Sequence, residues 1–142
     1  MNVSAFTDPA NVTKANANIL NRYKIVGPFL YSSMYKTKTS KMGPYSDYTN
    51  IKPYNSDYGL YAFTDLNDDI IYVGEASGQT LFDRIKNHFS DIKGSLLRKA
   101  GLNVLNESQF YLMVKIPPVV SSREILLDEA FIIGTIRPKY NF

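Results

Sequence analysis

Two short aromatic runs, Tyr58-Gly59-Leu60-Tyr61-Ala62-Phe63 and Ile70-Ile71-Tyr72-Val73-Gly74, limit what this chain can fold into more than any other feature. Asp65-Leu66-Asn67-Asp68-Asp69 lies between them and is rich in turn-forming side chains. β-Branched and aromatic residues on both sides of such a turn read as a β-hairpin. Side chains alternate along a strand, so Leu60, Ala62 and Thr64 are expected on one side of the first strand, with Tyr61 and Phe63 on the other. The hairpin presents Tyr61 and Tyr72 together.

The rest of the chain can be placed around this hairpin. Asp8-Pro9 opens a predicted helix, because Asp caps free amides and Pro tolerates the first helical position. Val12, Ala15, Ile19 and Tyr23 then recur at spacings of three and four, which predicts a helix ending near Lys24, with Gly27-Pro28 as its stop. From Phe29 to Asp57 no period is sustained, and the segment reads as a loop or extended arm. After the hairpin, Thr80 caps a helix whose apolar face is Leu81, Phe82, Ile85, Phe89 and Ile92. Arg84 and His88, four residues apart, stack on a neighbouring face of it. A short helix over Leu96 to Ala100, ended by Gly101, precedes a third strand over Phe110 to Ile116, which Pro117-Pro118 terminates. Ser121 and Glu124 have capping-box spacing and start a last helix running to Ile133 or Gly134. The expected class is α+β: a small three-stranded antiparallel sheet flanked by helices, with an N-terminal helix and an extended arm.

A length of 142 residues suits one domain with its own core. Within it, residues 1–57 form the helix and arm and residues 58–142 the core. Nothing approaches the roughly 18 apolar residues of a membrane span, and the amino terminus lacks the pattern of a secretory leader. A cytoplasmic protein of a bacterial or phage-infected cell is expected, with secretion as a toxin left open. The chain has no cysteine, so any metal must be held by oxygen or imidazole. The net charge of +3 is uneven: residues 1–57 carry seven Lys/Arg against three Asp, giving +4, and residues 58–142 carry nine against ten acids, giving −1. In the basic part Lys36, Lys38, Lys41 and Lys52 alternate with Tyr31, Tyr35, Tyr45, Tyr48 and Tyr54. Ammonium groups can neutralise phosphates while rings stack on bases, which makes Lys36, Lys38, Lys41, Tyr45 and Tyr48 candidate nucleic-acid contacts. An extended segment pinned to the domain by amphipathic tyrosines is the alternative.

On the last helix Ile125, Glu129, Ile132 and Ile133 share a face by helical period, whereas Glu124 and Asp128 point toward another. A carboxylate on an apolar face is costly unless it is paired or binds a cation, so Glu129 is a site candidate on physical grounds.

Together these residues resemble the GIY-YIG nuclease family. Gly59-Leu60-Tyr61 stands for the first signature and Tyr72-Val73-Gly74 for the second, with the tyrosines eleven positions apart. Arg84 and His88 follow on the next helix, then Glu129 and the ending Pro138-Lys139-Tyr140-Asn141. The resemblance spans residues 58–142 and implies a metal-dependent endonuclease of restriction or phage type, acting on DNA, with double-stranded DNA the expected substrate. It implies that Glu129 binds Mg²⁺ or Mn²⁺ and that Arg84 pairs with phosphate oxygens. Tyr61 would act on the attacking water as base or relay, assisted by His88. Tyr72 would orient phosphate or water, and Asn141 would hold the metal-site region or the backbone in register. Glu75 is a departure, since several family members carry lysine there. One site of this kind cuts one strand, so a homodimer or two successive visits would complete a double-strand break. The readings set against this one are a non-catalytic nucleic-acid-binding module with the same fold and a nuclease toxin domain.

Overall fold

The structure, a computed structural model, describes residues 19, 21–31, 50–90, 99–116 and 121–141, and of residues 86–90 and 102 the backbone alone. The expected helix from Asp8 falls outside the described residues except near its end. Lys36, Lys38, Lys41, Tyr45 and Tyr48 lie outside them altogether, as do Pro117 and Pro118.

The predicted hairpin forms from β2 (Gly59–Thr64) and β3 (Ile70–Ala76), paired antiparallel. Its turn is held by Asp65, whose Oδ1 accepts from the Asn67 and Asp69 N–H groups at 2.9 and 3.0 Å. Asp68 takes φ 66° there, in the left-handed region that Asp tolerates better than most residues. Gln109–Lys115 is the expected further strand and pairs antiparallel with the other side of β2. It is β4, because the sheet also contains β1, Tyr23–Leu30, paired antiparallel with it; the order is β1-β4-β2-β3.

The sheet thus has four strands where three were expected. The additional one occupies residues read as the end of the first helix and the start of the arm. Spacing between Ile19 and Tyr23 fits a helical turn, but Tyr23, Ile25 and Phe29 are also strand formers, and β4 offers them a row of unpaired backbone groups. Gly27-Pro28, taken as a helix stop, sits inside β1 where the register shifts between Val26 and Phe29. Proline is tolerated there because β1 is an edge strand.

Helices pack on both faces. On one face Tyr61, Phe63, Phe110 and Leu112 of the sheet meet Leu81, Phe82 and Ile85 of α1 (Leu81–Ser90) and Leu105 of α2 (Leu102–Asn106). Thr80 caps α1, its Oγ1 accepting from the Asp83 N–H at 3.2 Å. Residues 99 and 100 are helical, as expected of the short helix ended by Gly101, whose earlier residues lie outside the described ones; α2 is a further helix just beyond that glycine. The opposite face joins Leu60, Ala62, Val73 and Met113 to Ile125 and Ile132 of α3 (Ser122–Ile136). The expected cap of α3 is present, with Ser121 Oγ accepting from the Glu124 N–H at 3.3 Å. Arg137, at φ 54°, ends it in the left-handed conformation common at helix C-termini. No helix among the described residues is long and apolar enough to cross a membrane.

Candidate active site

The hairpin register sets the two tyrosines. Tyr61 lies opposite Gly74 and Phe63 opposite Tyr72, so Tyr61 and Tyr72 are diagonal neighbours on one face. Their ring centroids are 6.4 Å apart. A Cβ built on Gly74 would overlap the tip of the Tyr61 phenol, so the ring lies directly over the glycine backbone. Any side chain at position 74 would displace Tyr61. Phe63 packs edge-on against Tyr61 at 6.1 Å and fixes the ring from a second side.

Tyr61 is fully buried, and burial holds its phenol well above the usual pKa of 10. The Tyr72, Glu129 and Glu75 side chains push it further up, while the Arg84 guanidinium pulls it down. β2, β3, α1 and α3 therefore bring these five groups within electrostatic reach of one another. Tyr72 and Arg84 are half-buried and remain reachable from solvent. Arg84 lines a cavity of about 240 Å³ together with Glu75, Ala76, Ser77, Gly78 and Gln79. His88 lies one helical turn beyond Arg84 on α1, and its side chain is outside the description.

Glu129 is half-buried on α3, as its position beside Ile125 and Ile132 suggested. Desolvation first and the Glu75 carboxylate second, opposed less strongly by Arg84, together raise its carboxyl from an ordinary 4.5 to about 7. The preceding residue behaves differently. Asp128, expected on another face, is 5% exposed and accepts from the Tyr23 hydroxyl at 2.7 Å and from Arg22 Nη2 at 2.6 Å. It ties α3 to β1, a contact invisible in the sequence because the strand was read as helix.

Asn141 touches β3 rather than the tyrosines. Its Oδ1 accepts from the Val73 N–H at 2.8 Å and its Nδ2 donates to the Val73 carbonyl at 2.9 Å. The side-chain amide thus takes the place of a neighbouring strand on the open edge of β3. Lys99 Nζ donates to the Tyr140 carbonyl at 3.3 Å and steadies the same turn.

Glu75 is fixed as well: its Oε2 accepts from both the backbone N–H and the hydroxyl of Ser77. The two-residue spacing of an acid and a serine after a strand was the available signal for this turn.

A protein-family model described as the GIY-YIG catalytic domain matches residues 57–141. Among similar proteins is UvrABC system protein C of Aster yellows witches'-broom phytoplasma (strain AYWB), 36% identical over 84 residues. That alignment takes in 59% of this chain and 13% of the phytoplasma protein, so the chain spans only a small part of its relative.

Proposed function

For a chain that belongs to the GIY-YIG catalytic domain family, a family of nucleases, we propose a divalent-metal-dependent endonuclease that hydrolyses DNA phosphodiester bonds, of restriction or phage type. Double-stranded DNA is the substrate we assign, a homodimer the assembly, and the cytoplasm of a bacterial or phage-infected cell the setting. The observation that carries this reading is the convergence of Tyr61, Tyr72, Arg84 and Glu129, from four different elements, on one electrostatically coupled site.

The residues fit a hard divalent cation. Glu129 is a half-buried carboxylate whose charge Arg84 does not fully offset, which a cation would do. Among the described residues no three Asp, Glu, His or Cys side chains cluster as a ligand cage. The fit is thus to an ion such as Mg²⁺ or Mn²⁺ that is held by one or two carboxylates and completes its shell with water and phosphate oxygens. When bound, the ion would supply Lewis-acid stabilisation of charge developing on the phosphate.

The chain's own groups do the rest. Arg84, at the cavity wall, presents a planar fork suited to two nonbridging phosphate oxygens. Tyr61 is a poor resting base, because burial makes its proton harder to remove. It fits better as a relay that holds a water by hydrogen bonding and takes a proton only as it gives one up. Tyr72, at the solvent side of Tyr61, orients phosphate or water. Asn141 acts through the backbone of β3 and is a positioning residue for Tyr72 and Gly74.

The buried, proton-retaining Tyr61 also favours one competing reading, a nucleic-acid-binding module without turnover. Incubating the chain with duplex DNA, single-stranded DNA and RNA in Mg²⁺, beside Glu129→Ala, separates the two. Discrete duplex fragments from the wild type alone are expected. Retention of all three substrates uncut, with stable binding, would establish the module instead.

A further inference from the structure

Glu75 belongs to none of the roles above, yet its charge is felt at both Tyr61 and Glu129. It follows Gly74 on β3 and lines the cavity that Arg84 also lines. Its carboxylate is not a loose surface acid, because two hydrogen bonds from Ser77 hold one oxygen in place. A charge anchored in this way persists at the cavity wall while a substrate approaches. Its field is also felt at Glu129, where it outweighs the opposite field of Arg84.

The anchored Glu75 carboxylate shares the cavity wall with Arg84 and sets a negative field against its guanidinium. A phosphodiester brought to Arg84 must enter that field and is repelled by it. A divalent cation reverses the sign. We propose that Glu75 is a specificity-determining electrostatic gate, which disfavours nucleic acid at the Arg84 cavity until a divalent cation is bound and so couples DNA binding to metal. This inference rests on the nuclease reading for its ligand, but it concerns binding and requires no turnover.

The test is fluorescence anisotropy of a labelled DNA duplex titrated with the full chain, in EDTA and in CaCl₂. Wild type is compared with Glu75→Gln, which keeps an oxygen for Ser77 while removing the charge. Glu107→Gln is the control for overall charge: this exposed acid precedes β4, whose first residue pairs with Thr64, at the end of β2 away from Glu75. Wild type is expected to bind markedly tighter with Ca²⁺ than in EDTA. Glu75→Gln should tighten binding in EDTA by about tenfold, the size of a partly screened repulsion near a protein surface. The gain on adding Ca²⁺ should shrink by the same factor, and Glu107→Gln should change neither quantity by more than about twofold. Equal wild-type affinity in EDTA and Ca²⁺, or a Glu75→Gln effect no larger than that of Glu107→Gln, overturns the gate and leaves the nuclease reading standing. Absence of binding under every condition overturns both.

Discussion

Asp128 and Glu129 are adjacent on α3, carry the same functional group, and have opposite surroundings. Asp128 is nearly sealed from solvent but has both oxygens engaged, one by the Tyr23 hydroxyl and one by Arg22. Glu129 keeps more exposure, and yet its carboxyl is raised to about 7, because burial and Glu75 together outweigh Arg84. Burial alone therefore does not mark a functional acid. What separates the two is whether the surroundings compensate the charge: the satisfied carboxylate is part of the scaffold, and the uncompensated one is the acid proposed above to hold a cation.

That contrast can be broken by mutation. Glu129→Ala should lower cleavage by about 100- to 1000-fold, the cost of losing one strong electrostatic contributor to a transition state. Its thermal stability near neutral pH should match or exceed wild type, since an uncompensated charge is removed. Loss of both stability and cleavage would place Glu129 with Asp128 instead. Asp128→Ala is expected to behave inversely. It should cost about 2–3 kcal/mol in urea unfolding, because it leaves the buried Tyr23 hydroxyl unpaired and removes a charge-assisted bond.

Asn141 sharpens the same distinction, since both of its amide atoms are occupied as those of Asp128 are. Asn141→Ala should cost about 1–2 kcal/mol, the value of two ordinary hydrogen bonds on a sheet edge. Cleavage by the folded fraction should fall less than in Glu129→Ala.

A further effect is on pH dependence. With a folded pKa near 7 against an ordinary 4.5, Glu129 keeps its proton longer in the folded state than in the unfolded one. The unfolded chain then binds fewer protons between these values, so the contribution of Glu129 to stability falls as pH rises from about 4.5 to about 7 and is constant outside that window. In metal-free buffer, Glu129→Gln should flatten the melting temperature across this range, and an unchanged slope would contradict the account of its surroundings.

The two carboxylates also show where sequence reading reaches its limit. Helical period put Glu129 beside Ile125 and Ile132, and the structure has it there. The same period put Asp128 toward another face and could not show its burial, because its partners Arg22 and Tyr23 lie more than a hundred residues away in a segment read as helix. Gly74 was legible as the end of the second signature, whereas its place inside β3 and the reason it must be glycine, the Tyr61 ring laid across it, require the β2–β3 register.

Local physics is written along the chain, and so the sequence alone determined the hairpin with its Asp65 turn, the caps at Thr80 and Ser121, the α+β class, and the order of residues that resembles a nuclease family. Each depends on neighbours within a few positions, where steric preference, alternation and hydrogen-bond reach suffice. Only the tertiary structure decided that β1 completes a four-stranded sheet, that Asp128 clamps it to α3, that Asn141 closes the edge of β3, and that Glu75 opposes Arg84 at Glu129. Those outcomes depend on which unpaired backbone groups and which charges come to face each other after folding, and no spacing in the sequence encodes that directly.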